Sequence, residues 1–193
     1  YSAAMESHFK SLSIRKQAGD KKGIAMSYNN IGWNYSNQGD YAAALENLFN
    51  SLKIKEEIGD KEGTALSYNF IGDIYFKQQN YSASEDYYWK SLKIREQIGD
   101  KRGIAMSYNS LTVLYKELKQ FKLAITYLNK ALVIAQEIRS KDEIKNAYLY
   151  LSEINSLMNN YKGAYEYLQL YSEIKDTIFN EESSRQMAEM QTK

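Results

Sequence analysis

The sequence predicts an all-α chain of stacked antiparallel helical hairpins, and three observations carry that expectation. Residues 18–29, AGDKKGIAMSYN, return as IGDKEGTALSYN at 58–69 and as IGDKRGIAMSYN at 98–109, a spacing of forty each time. A fixed period of this length marks a chain built from copies of one supersecondary unit. The 193 residues include no proline and only 10 glycines, so little breaks a helix. Between the polar turns, apolar residues recur at intervals of three and four, the signature of one helix face.

The elements follow in order. Residues 1–18 form a leading helix, because SLSIRKQAGDK at 11–21 is a weaker relative of SLKIKEEIGDK at 51–61 and SLKIREQIGDK at 91–101. The first full hairpin, 21–60, places helix A at 22–38 and helix B at 41–58, separated by Gly39-Asp40 and closed by Gly59-Asp60. The glycines suit the left-handed position after a helix, and each aspartate accepts from the free amides that open the next. Helix A sets Ala25, Tyr28, Gly32 and Tyr35 on one face, and Ala65, Tyr68, Gly72 and Tyr75 repeat it in the second hairpin, 61–100. Glycine inside a strong helix lowers its propensity, so Gly32 and Gly72 signal close helix approach. Helix B supplies Ala44, Leu48 and Leu52 to meet them.

The third and fourth hairpins, 101–140 and 141–179, keep the period while their identities fade. Phe121 and Tyr161 extend the series Tyr1, Tyr41 and Tyr81; Ala124 and Ala164 extend Ala4, Ala44 and Ser84; Ile134 and Ile174 extend Ile14, Ile54 and Ile94. After the first hairpin the corresponding boundaries fall near Asn80, Gly99-Asp100, Gln120, Ser140-Lys141 and Asn160. Residues 180–193 leave the pattern and read as a capping or connector helix, with Met187 and Met190 continuing a narrow stripe from Ile174 and Ile178. Because the chain opens at Tyr1 and stops within a helical pattern, it is expected to be a fragment or processed form.

Residue by residue, the hairpin resembles the tetratricopeptide repeat in its longer, forty-residue variety. Tyr28 stands at the family's first large aromatic position, Ile31-Gly32 matches its leucine-glycine pair, and Tyr35 is the next tyrosine. Ala44, Leu48 and Ser51 match the small, large and small positions of helix B, while Glu56 replaces the usual late proline. The resemblance spans nearly the whole chain and implies a right-handed superhelix with the A helices along its concave side. It implies a function of binding proteins or extended peptides there, and says little about biological role, since many proteins share the scaffold.

The groove positions that the resemblance implies are Met26, Asn29, Trp33, Ser36 and Asn37 in the first hairpin. In the second they are Leu66, Asn69, Asp73, Phe76 and Lys77, and in the third Met106, Asn109, Val113, Lys116 and Glu117. The fourth contributes Asn146, Leu149, Glu153, Ser156 and Leu157. Asn29, Asn69 and Asn109 recur at one site; a ladder of carboxamides either fixes the backbone of a bound peptide or joins neighbouring helices. Trp33 and Phe76 either anchor a partner or pack beneath a ridge. Without a Lys/Arg cluster, the groove does not favour acidic termini.

Composition narrows the alternatives. Lysine and arginine number 25 against 24 acidic residues, a net charge of +1, so no global field gathers nucleic acid or an anionic membrane. An RNA-binding repeat is the minor alternative, since stacking rings need basic phosphate contacts beside them, and several of the 18 tyrosines fall at packing positions. Cysteine is absent, which removes disulfides and thiolate sites. His8, the only histidine, aligns with Leu48, Tyr88, Leu128 and Leu168, a packing series. No metal, phosphate-loop or nucleotide motif occurs, and no catalytic residue, cofactor or metal is expected in this segment. No apolar run is long enough to insert in a membrane.

The ending YSEIKDTIFN, followed by the tail, looks like the junction in bacterial sensor histidine kinases and related regulators that carry such repeats. That likeness implies a sensory or interaction region of a signal-transduction protein, with any kinase activity in sequence beyond this segment. It implies an extracytoplasmic or periplasmic position in a membrane-anchored parent, with a cytoplasmic one as the alternative. A structural scaffold that self-associates, for instance as a homodimer through the C-terminal helix, is the competing function.

Overall fold

A computed structural model describes residues 2–191, without the side chains of residues 2–4, 188 and 191. Tyr1 and the side chain of Ala4, which open two of the repeat series, and the last two residues of the expected tail lie outside the described residues. Among the described residues the chain forms nine α-helices and no strand. They are α1 (Ser2–Gln17), α2 (Lys21–Asn37), α3 (Tyr41–Glu57), α4 (Lys61–Lys77), α5 (Tyr81–Ile98), α6 (Lys101–Glu117), α7 (Phe121–Glu137), α8 (Lys141–Leu157) and α9 (Tyr161–Gln191). The chain is all-α, a series of antiparallel helix pairs that divides into two compact units, residues 1–110 and 111–193.

Turn chemistry sets the helix boundaries. Asp20, Asp40, Asp60 and Asp100 each accept from the amide three residues on, at 2.8–3.0 Å, and Asn80 and Asn160 do so at 3.3 and 3.2 Å. Each such bond engages an amide that the helix start leaves without a partner. The residue before the cap is left-handed: glycine at 19, 39, 59 and 99, but Gln79, Lys119, Arg139 and Asn159 in the other turns. Those four adopt the same turn at some steric cost.

At one position of the period the turn does not recur. The sequence Ile58-Gly59-Asp60 ends α3, whereas its counterpart Ile178-Phe179-Asn180 lies inside α9, which runs unbroken to Gln191. The boundary expected at 179–180 is therefore absent, and the final hairpin and tail share one helix. Phenylalanine disfavours the left-handed position that would turn the chain, so helical geometry propagates through it.

Within the first unit the core is the apolar seam between helices. Ala44, Leu48, Leu52, Ile71 and Ile74 cluster, walled by half-buried rings including Tyr35, Tyr68, Tyr75 and Tyr87. Fully burying each of the leucine and isoleucine side chains contributes roughly 1.5–3 kcal/mol. The close approach expected at Gly32 and Gly72 is real: a Cβ on Gly72 would lie 2.7 Å from the Tyr88 ring, and one on Gly32 3.0 Å from Leu48 Cγ. Small hydroxyls tie the seam, with Ser51 Oγ donating to Ala25 O and Ser91 Oγ to Ala65 O, both at 2.8 Å. The second unit repeats the scheme with Leu114, Ala124, Leu128, Leu151 and Ile154 buried, Tyr115 stacked on Tyr127, and Ser152 Oγ donating to Ala164 O at 2.7 Å.

Candidate binding groove

In the first unit, α2 and α4 flank an open groove of about 630 Å³. Its apolar lining is Met26, Trp33, Leu66 and Phe70; Asn29, Asn30 and Lys55 also line it, with Lys22, Asp60 and Glu62 among its charged residues. The size falls in the ordinary range for ligand sites. Trp33 is 48% exposed and Met26 50%, large apolar groups that the hairpin leaves uncovered. The rings of Trp33 and Phe70 meet at 5.8 Å with a 46° tilt. Lys77 Nζ lies 5.5 Å from the Trp33 ring centre and donates to Ser36 Oγ at 2.8 Å.

Of the twenty groove positions that the resemblance implies, four share this groove: Met26, Asn29, Trp33 and Leu66. The others stand apart. Asn37 is exposed at the end of α2, and Phe76 is half-buried with its ring 5.7 Å from that of Tyr81. Asp73 is half-buried and accepts from Tyr88 Oη at 2.8 Å. Burial raises its carboxyl to about 6, against the opposing pull of the Tyr88 hydroxyl, the Lys77 charge, the Asn69 amide and the Arg95 charge. Met106 and Asn109 are exposed on α6 in the first unit. Val113 and Lys116 belong to the second, where Lys116 Nζ meets Glu153 at 3.3 Å and sits over the Tyr150 ring.

The recurrent asparagines are not three equivalent open amides. Asn69 is buried and engaged by α6: its Nδ2 donates to Ser110 Oγ at 3.3 Å, and Ser110 Oγ lies 3.5 Å from its Oδ1. Asn29 is buried to 9% exposure and its Oδ1 accepts from Ser67 Oγ at 3.5 Å. Asn109 faces solvent. The inter-repeat role, weighed beside peptide binding, accounts for the bonds of Asn69 and for the carbonyl side of Asn29.

Sequence reasoning passed over a cation beneath three of the turns, half-buried at Arg15 and buried at Lys55 and Arg95. Arg15 Nη1 donates to Gly23 O at 2.8 Å and Ser27 Oγ at 3.0 Å; Arg95 makes the same pair of bonds to Gly103 O and Ser107 Oγ. Lys55 takes the place between them, 4% exposed, with Nζ donating to Ser67 Oγ at 2.9 Å. Glycine at 63 and 103 makes room, since a Cβ there would fall 2.3 and 1.9 Å from the capping aspartate Oδ2. Burial lowers the Lys55 ammonium to about 8, with the Asp60 charge opposing. The available signal was the Arg, Lys, Arg series at 15, 55 and 95, aligned with the serines at 27, 67 and 107.

Among the described residues no group of histidines and carboxylates is placed to hold a metal, and no helix is long and apolar enough to cross a membrane. His8 is half-buried on α1.

A tetratricopeptide repeat family model matches residues 37–97 and again 63–137, together more than half of the chain. The chain belongs to the tetratricopeptide repeat family. A comparison with curated proteins finds no match. Among solved structures, this tetratricopeptide chain is similar to BtubC (BKLC) from P. vanneervenii, with 22% identity, a TM-score of 0.75, and coverage of 92% of this chain and 72% of that one. It is similar to the apo form of RapI at 20% identity and a TM-score of 0.78, over 90% of this chain and 48% of RapI. A signal transduction ATPase with numerous domains and a tetratricopeptide repeat sensor, from Pyrococcus horikoshii, gives 18% identity and a TM-score of 0.71, over 92% and 28%. At these identities the likeness concerns the fold. The chain spans less than half of RapI and less than a third of the ATPase.

Proposed function

We propose that this repeat region binds a protein through an extended peptide segment laid along the A helices, with the α2–α4 groove as its anchoring point. The observation that carries this reading is the juxtaposition of half-exposed Trp33 and Met26 with Leu66 and Phe70 in one open groove. Large aromatics in a concave setting supply contact area at small conformational cost, the usual composition of a binding hot spot. Tetratricopeptide repeats often mediate protein–protein interactions, which agrees with a site built from uncovered packing residues. As the sensory or interaction part of a signalling protein, such a groove would convert partner capture into an output elsewhere, a role supported by the likeness to the signal transduction ATPase from Pyrococcus horikoshii with its tetratricopeptide repeat sensor.

The test is selection of random linear peptides on the immobilised chain, followed by titration of the enriched sequences. Enriched peptides are expected to lose about tenfold or more in affinity with Trp33→Ala while helicity is unchanged. Failure to enrich any peptide, or full affinity in the Trp33→Ala chain, would reject the reading.

The competing function has its own observation. Beyond residue 178, α9 exposes Phe179 at 67%, Met187 at 54% and Met190 at 69%, a stripe suited to a second copy. Mass measurement over a concentration series decides it: a strictly monomeric chain removes self-association through α9.

A further inference from the structure

Because the turn does not recur at residue 179, α9 projects beyond the point where α3 ends, and one of its faces stays uncovered among the described residues. On α3 that face meets α4: Tyr41 and Leu45 are half-buried and Leu48 is buried at the shared core. Their counterparts on α9, Tyr161, Tyr165 and Leu168, are 67%, 61% and 47% exposed. Phe179 and Met190, in the projecting part, are 67% and 69% exposed. At about 100° per residue, all five lie within about 60° of one another around the helix and form one stripe. α9 meets α8 elsewhere on its circumference, through Tyr167 stacked on Tyr148 and the Lys141–Glu181 pair.

Charge and length decide what covers the stripe. From Asp176 onward α9 holds four carboxylates, Asp176, Glu181, Glu182 and Glu189, against Arg185 alone, a net −3. From Tyr161 to Lys175 two lysines balance two glutamates. The neighbouring turn adds Lys119 and Lys122, which line a shallow cavity with Leu123 and Met158. Two parallel α9 helices would set one acidic end beside the other. Antiparallel, the acidic end of each lies beside the balanced, lysine-flanked start of the other. No acidic end reaches its own start, since residues 161 and 190 are about 44 Å apart along the helix.

Side chains fit in the same arrangement. With a two-fold axis between residues 175 and 176, Tyr161 of one copy lies level with Met190 of the other, and Ser172 with Phe179. Thioether against ring is a favourable contact, and a small residue opposite a ring leaves it room. The helix that covers this face on α3 also runs antiparallel to it, so a second copy would repeat a packing that the stack already uses.

We propose that a second copy of this chain covers the stripe: two α9 helices pack antiparallel about a two-fold axis between residues 175 and 176, with the acidic end of each, 179–190, on the start of the other, 161–168. This rests on the self-association reading and deepens it by fixing the surface, the direction and the alignment.

The chain contains no cysteine, so introduced cysteines report orientation without background. Tyr161→Cys and Met190→Cys chains, mixed at a concentration where sedimentation shows dimer, are treated with a short bis-maleimide. Cross-links are expected in the mixture, between one chain of each kind, and from neither variant alone; a parallel pair would hold residues 161 and 190 about 44 Å apart and link each variant to itself. Ser172→Phe, which sets a second ring opposite Phe179, is expected to weaken dimerisation about tenfold. Adding Phe179→Ser is expected to recover it. Both side chains are exposed, and helical circular dichroism checks that the fold is kept. Self-linking of Met190→Cys, a dimeric mixture without cross-links, undiminished dimerisation of Ser172→Phe, or no recovery in the double variant overturns the antiparallel pairing and spares self-association. A strictly monomeric chain across the concentration series overturns both.

Discussion

Replacing Asp73 with asparagine should stabilise the chain at neutral pH and leave it unchanged in acid. Asp73 stands where the other hairpins carry Trp33, Val113 and Glu153, and Tyr88 stands where they carry Leu48, Leu128 and Leu168, so a tyrosine–carboxylate pair occurs in this hairpin alone. Tyr88 Oη donates to Asp73 Oδ1 at 2.8 Å; the Asn69 amide and the charges of Lys77 and Arg95 also favour the carboxylate. Burial outweighs them and lifts the carboxyl from 3.8 to about 6. The folded chain therefore takes up a proton near pH 6 that the unfolded chain takes up only near pH 4. Between those values the folded state holds more protons, so stability rises as pH falls from 6 to 4 and is lost as pH rises again. Two pKa units correspond to roughly 3 kcal/mol. Asparagine keeps an acceptor for Tyr88 without the charge. In urea denaturation followed by helical circular dichroism, the difference between Asp73→Asn and the parent should be about 1–3 kcal/mol in favour of the variant at pH 7.5 and close to zero at pH 3.5, other carboxylates cancelling in the comparison. A difference of constant size across that range would refute burial as the cause.

Three further outcomes are expected. Gly72→Ala should destabilise the first unit by about 1–3 kcal/mol, because its Cβ would press on the Tyr88 ring; adding Tyr88→Leu, the residue type present at 48 and 128, should recover part of that loss in thermal melts. Phe179→Gly should reinstate the turn that ends α3 and cost about 1 kcal/mol of helix propensity at that site, seen as faster amide exchange over residues 179–191 and lower helical circular dichroism. Ser91→Ala should remove its bond to Ala65 O at a cost of about 0.5–1.5 kcal/mol, tolerably, since Ala131 fills the same position in the next hairpin.

The frame of the fold was legible because the residues that build it repeat. Gly59-Asp60 and Gly99-Asp100 specify a turn and a cap wherever they occur, and the structure places both in those roles. Gly32 and Gly72 signalled close packing because glycine has no other reason to persist in a helix interior. The boundary at residue 179 was expected from periodicity alone, and α9 continues through it: bulky Phe179 stands where Gly59 turns the chain, and it keeps the helical backbone. The groove was legible only in part. The family resemblance put Met26, Asn29, Trp33 and Leu66 along the concave side, but it is silent on which amides a neighbouring repeat will satisfy, and Asn69 is taken by a serine 41 positions away.

In a repeat protein, a residue common to all copies serves what all copies must do, which is to turn, cap and stack. Chemistry particular to one place has to come from departures. In the first unit these departures concentrate on α4 and its neighbours: Lys55 between two arginines, Phe70 in place of a serine, and the Asp73–Tyr88 pair that no other hairpin carries. Lys55 and Phe70 change what lines the groove, while Asp73 and Tyr88 change only how the seam is held. Groove and seam therefore make separable expectations. Trp33→Ala should alter ligand affinity with little effect on stability, and Asp73→Asn should alter stability with little effect on ligand affinity. If both variants moved both quantities together, groove and seam would be one coupled network, and assigning recognition to the α2–α4 groove by itself would be mistaken.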